Sequence, residues 1–370
     1  DESLPEPDGF WTQLVGSPDY DLVIEPGFRF SPLLQSRLPE YPSPRRGELQ
    51  LFLTNLDVVS TLVATSLGIY DPAEWRFRHG PGAISEVAGP TNKYSWKSWS
   101  ATLESVYPIA DCGFHNYSSW ADKCKCLEVD SHEPASRLIA VPKTYSGPRL
   151  IAAEPASHQW CQQNCWDYLC RRVQKCWISR FVSFRDQSRN QALCTLGSET
   201  GALATVDLSA ASDRVTCHVV AQMFRSNPTI LRALRASRTR RITQSLSKKF
   251  DAEIVLRKFS TMGSAVTFPV ETLIFLSVAL ASVATVRRMR VIRSEDLLSL
   301  QGEVSVFGDD IVIPVDTREL FVEALELLWF KVNTDKSYWT GRFRESCGVD
   351  SFDGCNVTPV YWKRSYDGKP

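Results

Sequence analysis

Asp309 and Asp310 stand side by side in the stretch VSVFGDDIVIPV, residues 304–315. Val, Ile and Phe flank a Gly-Asp turn signal, so the local reading is strand, tight turn, strand, with both carboxylates at the tip of a β-hairpin. Such a turn is either solvated and ordinary or a holder of metal. A second acidic stretch, VDLSAASD, follows the strand-like run ALATV and places Asp207 at a strand end and Asp213 in the loop beyond it. Asp207, Asp309 and Asp310, brought together from two strand ends, could hold two divalent cations, because hard cations take oxygen ligands. Two such ions activate an attacking hydroxyl and stabilise a leaving phosphate oxygen in an in-line displacement. Repulsion between neighbouring aspartates is tolerable when the ligand they await is doubly positive.

Three further stretches offer groups suited to a nucleotide. In MGSAVTFPVE, a Gly263-Ser264 loop precedes Thr267 and Glu271, which are four residues apart and so share one helical face. Glycine there permits close backbone approach to a ribose or phosphate, and hydroxyl and carboxylate groups can test sugar hydroxyls. In VPKTYSGPR, Lys143 and Arg149 flank a turn and suit the gripping of a triphosphate. In NTDKSYW, Lys336 is either a proton donor to departing pyrophosphate or simply exposed.

These residues need elements to position them. The runs RLIAVPK and RLIAAEP bracket the TYSG turn as two strands, and HQWCQQNCWDYLCRRVQKC has helical spacing. The apolar run TLIFLSVALASVATV is shorter than the about 20 residues of a spanning helix and is expected to be a buried helix. In DTRELFVEALELLWF, Asp316 is the expected N-cap, with Glu319 at the capping-box position. Strands and helices mix without strict alternation, which favours an α+β fold over a doubly wound sheet.

At 370 residues with 43% hydrophobic composition, the chain can bury a large core and is no disordered tail. Its 42 basic and 42 acidic residues balance, so charge alone does not announce a nucleic-acid binder. Distribution is more telling, for residues 225–249 contain no acid but carry Arg232, Arg235, Arg238, Arg240, Arg241, Lys248 and Lys249. Such a segment either lines a polyanion channel, with Arg238, Arg240 and Arg241 as candidate RNA contacts, or forms a solvated face. A second basic run comprises Arg171, Arg172, Lys175, Arg180, Arg185 and Arg189. The opening DESLPEPDGF carries no basic, apolar signal segment, and a reducing cytoplasm is expected for the 11 cysteines. Cys161, Cys165, Cys170 and Cys176 lack paired CxxC spacing and are read as helix-core residues rather than zinc ligands.

Taken in order, VPK with Arg149, DLSAASD, MG with Thr267 and Glu271, FGDD, then Lys336 and FRESCG resemble the successive motifs of viral RNA-dependent RNA polymerases. More narrowly, VDLSAASD, MGSAVTFPVETLIF and FRESCG resemble the replicase catalytic subunits of levivirus-type RNA bacteriophages. The resemblance runs from about Arg137 to Lys363, and Glu271 supports the narrower match, since many other viral polymerases carry Asn there.

The resemblance implies a right-hand polymerase. Residues 1–199 would form the N-terminal region and fingers, 200–213 and 259–342 the palm, 214–258 a fingers insertion and 343–370 the palm-thumb edge. A further thumb region would lie beyond the last residue. Asp207, Asp309 and Asp310 would ligate two Mg2+ ions, or Mn2+. Asp213, with Gly263, Ser264, Thr267 and Glu271, would sense the ribose, and Lys143 and Arg149 would contact the incoming triphosphate. Lys336 would act as general acid. Cys347 of FRESCG is expected to be structural, since no His partner is apparent. The implied partners are RNA template and product, ribonucleoside triphosphates, and host elongation factors Tu and Ts with a ribosomal protein, in the cytoplasm of an infected bacterium and away from any membrane. Two alternatives stay open: a reverse transcriptase, which typically places a bulky aromatic near the ribose, and an RNA-binding palm without catalysis.

Overall fold

The computed structural model describes residues 44–86, 93, 98–114, 116–123, 129–130, 132–144 and 147–360, with backbone alone at 122–123, 143–144 and 147. Its principal helices are α1 (Arg46–Ser66), α2 (Ala156–Lys175), α3 (Ser188–Thr200), α4 (Cys217–Phe224), α5 (Pro228–Ser237), α6 (Thr267–Val286) and α7 (Arg318–Leu327). The principal strands are β1 (Ser136–Thr144), β2 (Gly147–Ala153), β3 (Leu203–Val206), β4 (Arg241–Thr243), β5 (Glu253–Val255), β6 (Ser305–Phe307), β7 (Asp310–Pro314), β8 (Phe343–Ser346), β9 (Val349–Phe352) and β10 (Cys355–Asn356). They assemble into three sheets ordered β2-β1-β4-β5, β3-β7-β6 and β8-β9-β10, so the fold is α+β as expected.

The core is organised around α6, whose residues are buried on every side. Hydroxyls within a wholly buried helix need partners, and here the helix itself supplies them. Thr272, Ser277, Ser282 and Thr285 each donate to the carbonyl four residues earlier, at 2.6, 2.8, 2.8 and 2.7 Å. By length and hydropathy α6 and α1 are apolar enough to cross a membrane, but α6 is enclosed by protein. α1 presents Leu49, Phe52, Leu56, Val59 and Val63 to this core at helical spacing, and Asn55 on it donates to Thr285 at 2.9 Å. Cys161 and Cys165 are fully buried and Cys170 nearly so on α2, as core residues.

One expected cap differs. Residues 315–317 form a short 3-10 turn and α7 begins at Arg318, so Asp316 lies outside the N-cap position and accepts from the Thr317 hydroxyl at 3.0 Å. Pro314 sets the preceding backbone and the extra turn displaces the helix start.

Candidate active site

The acidic hairpin forms as its sequence requires. Phe307 pairs with Asp310 across the two-residue loop Gly308-Asp309, and Gly308 at φ +62° takes the first loop position, where glycine is favoured. Its amide donates to Thr272 of α6 at 3.1 Å, and a Cβ there would meet the Phe268 ring at 2.6 Å. β3 runs antiparallel to β7, with Val206 opposite Ile311. That register carries Asp207, one residue further, to the same sheet end as the hairpin tip.

Asp207 is fixed from its other side. Residues 332–338 run beside β3 through bridges at Leu208–Val332 and Thr205–Tyr338. Asn333 donates through its side-chain amide to Asp207 Oδ2 at 2.8 Å and through its backbone to the Asp207 carbonyl at 2.9 Å. The Asp207 amide donates to Ser337 Oγ at 3.0 Å. Asp310 turns elsewhere, its Oδ1 accepting from the Cys347 amide at 2.9 Å and Ser346 Oγ at 3.3 Å. Cys347 and Gly348, at φ +50° and +72°, make the tight turn between β8 and β9, so FRESCG is a hairpin that grips the acidic one. Burial and the nearby Asp310 carboxylate raise the Cys347 thiol well above its ordinary range, which suits a structural cysteine. Asn190 of α3, buried, donates to the Asp310 carbonyl at 2.9 Å and accepts from Ser305 at 2.6 Å.

A cavity of about 590 Å³ opens at this sheet end, within the size range of ligand pockets. Its lining joins Arg149, Asp207, Asp213, Gly263, Ser264, Thr267, Glu271, Asp309 and Lys336, nine of the eleven residues singled out for metal, catalysis or nucleotide, and none of the three arginines singled out for RNA. Asp310 lies beside the cavity rather than in its lining, and the Lys143 side chain lies outside the described residues. Among the described residues no three Asp, Glu, His or Cys side chains are already grouped as a metal site. The carboxylates nevertheless feel one another. Glu271, almost wholly buried, is raised well above the usual carboxylate range by desolvation and then by Asp309 and Asp213. Glu345 of FRESCG is raised by desolvation, Asp310 and Asp207. This concentrated negative field, with all-oxygen donors, fits a hard divalent cation.

The ribose group divides under inspection. Glu271 Oε2 is buried without a hydrogen-bond partner, as is Ser264 Oγ. Thr267 instead donates to the Thr261 carbonyl at 2.8 Å and bonds Ser260 Oγ at 2.7 Å, so its hydroxyl is engaged within the loop. Gly263 serves the backbone. At φ +126° it lies so close to β2 that a Cβ would come within 2.0 Å of the Ala152 carbonyl oxygen. The tight approach read from sequence as one to ribose or phosphate is made to a strand.

The basic segment requires a correction. Arg238 is buried, donating to the carbonyls of Leu256 and Phe259 at 2.9 Å and of Lys258 at 2.8 Å, so it is not part of an RNA-facing surface. Arg240 pairs with Glu133 and Arg241 with Glu253. The segment contains no acid, but Glu133 reaches it from far upstream and Glu253 from across the β4-β5 hairpin. The residues that reading missed are Asn333, Ser337, Asn190 and Lys258. Asn and Ser carry no periodic signal, and Lys258 lies beyond the acid-free segment with no motif to mark it.

Similarity to known proteins agrees with this geometry. Residues 102–370 match the family described as RNA replicase, beta-chain. The chain belongs to this family. It is 33% identical over 237 residues to the RNA-directed RNA polymerase subunit beta of Escherichia virus Qbeta, covering 64% of this chain and 36% of that protein. To the beta chain of Enterobacteria phage GA it is 31% identical over 234 residues, 63% of this chain and 40% of the relative. To the beta subunit of Enterobacteria phage SP it is 33% identical over 292 residues, 78% and 46% respectively. The replicase-family chain therefore aligns with under half the length of these relatives, and the family match, residues 102–370, holds every acidic residue of the cavity.

Proposed function

We propose that this chain carries the nucleotidyl-transfer centre of an RNA-dependent RNA polymerase, with β3-β7-β6 as the palm sheet and β1-β2-β4-β5 with its flanking helices as fingers. One observation carries the reading: in a chain of the replicase beta-chain family, acids and cations far apart in sequence line a single cavity at the end of that sheet. Asp207, Asp309 and Asp310 would hold Mg2+ or Mn2+, with Asn333 and the Cys347 amide fixing two of the three carboxylates. Bound there, the metal supplies Lewis-acid stabilisation of the attacking 3′-hydroxyl and of the departing phosphate oxygen.

The remaining residues bind and orient. Arg149 and Lys336 both line the cavity; the first would grip the triphosphate and the second would hand a proton to pyrophosphate. Asp213, Ser264 and Glu271 face the sugar. Burial, with the nearby Asp309 and Asp213 carboxylates, favours the protonated form of Glu271, a hydrogen-bond donor, whereas Asp213, ion-paired with Lys258, accepts. The partners would be RNA template and ribonucleoside triphosphates in the cytoplasm of an infected bacterium, with elongation factors Tu and Ts and a ribosomal protein as further candidates.

The test supplies the chain with RNA template, ribonucleotides and Mg2+, alone and with bacterial extract, and compares Asp309→Asn with the parent. Template-length product from the parent, at least a hundredfold less from Asp309→Asn, and similar RNA retention by both are expected. RNA retention without incorporation by either would favour the catalytically silent alternative.

A further inference from the structure

Lys258 has 0% exposure, and its ammonium is ion-paired with Asp213 Oδ1. A lysine in that position is costly, because the desolvation penalty of a buried ion pair commonly cancels its attraction, so the pair adds little to stability over an apolar substitute. What it does add is direction. Asp213 lies in the 3-10 turn Ser212–Arg214, entered through Ala210 at φ +51°, and its carboxylate borders the cavity. Lys258, buried and outside the lining, engages one carboxylate oxygen.

The lysine is itself anchored. Arg238 donates to the carbonyls of residues 256, 258 and 259, the Phe259 amide donates to the Val215 carbonyl at 2.9 Å, and the Leu256 amide to the Arg240 carbonyl at 2.8 Å. A buried guanidinium thus holds the backbone that holds the buried ammonium.

Building on the proposed polymerase reading, we propose that Lys258 is a specificity-determining positioning residue, fixing the Asp213 carboxylate as an oriented acceptor for a ribose hydroxyl and so setting preference for ribonucleotides over deoxyribonucleotides. A carboxylate paired this way accepts and cannot donate. A sugar hydroxyl satisfies it. A sugar lacking that hydroxyl leaves the desolvated acceptor unmatched, the arrangement by which a polar site rejects an analogue one hydroxyl short.

The test measures equilibrium binding of ATP and 2′-deoxy-ATP, with Mg2+, to the full chain carrying a 3′-deoxy-terminated RNA hairpin whose templating base is uridine. Lys258→Met, close in volume to lysine but uncharged, is expected to weaken ATP binding tenfold or more while leaving 2′-deoxy-ATP binding nearly unchanged. Lys258→Met combined with Asp213→Asn should discriminate no worse than Asp213→Asn alone, since one residue acts through the other. A purely structural lysine would lower both affinities together and leave their ratio intact, and that result overturns the proposal while the polymerase reading stands. Equal binding of both nucleotides by the parent also overturns it. A parent that binds neither overturns the polymerase reading and this inference with it. Should Lys258→Met not fold, Lys258→Gln, which keeps a donor on a shorter stem, carries the same comparison.

Discussion

At position 263 there is no room for a side chain. A Cβ would lie 2.0 Å from the Ala152 carbonyl oxygen, and φ is +126°, a conformation that L-residues rarely adopt. The contact is backbone against backbone, so no rotamer change relieves it. Gly263→Ala is expected to lower stability by about 3 kcal/mol, measured by urea denaturation with parent and variant compared at the same pH. An effect within about 0.5 kcal/mol would mean that the loop relaxes away from β2 without penalty. The same scale explains Arg238. A guanidinium engaging three backbone carbonyls is consumed by the fold, whatever the charge pattern around it.

Among elements, the acidic hairpin depends on its neighbours more than on its own turn. α3 supplies Asn190, β8-β9 supplies Ser346 and the Cys347 amide, α6 supplies Thr272, and the 332–338 segment supplies Asn333 to the adjoining strand. Asn190→Ala would remove the shorter of two hydrogen bonds of the buried Ser305 hydroxyl, which also bonds the Phe181 carbonyl at 3.2 Å, and the side-chain donor to the Asp310 carbonyl. A buried hydrogen bond contributes about 1 kcal/mol, so loss of the two is expected to destabilise by about 2 kcal/mol in chemical denaturation. Asn190→Asp keeps the acceptor for Ser305 but faces the Asp310 carbonyl with another oxygen, and should be no better than Ala. A variant as stable as the parent would show that the hairpin holds its own geometry.

Over the whole molecule, buried ionisable groups set the pH response. His158 of α2 is fully buried, and desolvation lowers it from 6.5 to about 4. The folded state resists the proton that the unfolded state accepts. Stability from this residue is therefore complete above pH 6.5, falls as the pH drops from there, and is exhausted near pH 4. Between those limits the parent should lose about 3 kcal/mol more than His158→Gln. Glu154 and Glu271 are raised by burial and work in the opposite sense, losing stability as pH rises above 4.5. The paired comparison with His158→Gln cancels their contribution, and parallel stability-pH curves for the two proteins would contradict the assignment.

Hydrophobic periodicity and turn chemistry, both local properties, made the hairpins, the buried helix and the acidic tip legible in one dimension, and the order of motifs made the family legible. Sequence likewise marked most of the cavity lining, because catalytic acids and nucleotide-facing loops carry distinctive residue types. Tertiary structure alone decided which cations are spent inside the fold. Arg238, Arg240 and Arg241 look equivalent in the chain, yet Arg238 is buried on backbone carbonyls while Arg240 and the half-exposed Arg241 pair with acids nearer the surface. The same is true of Asn333 and Asn190, which acquire their roles from the strands laid against them. A hydrogen bond or ion pair between distant residues leaves no period in either segment, so only the packing of one element on another could assign it.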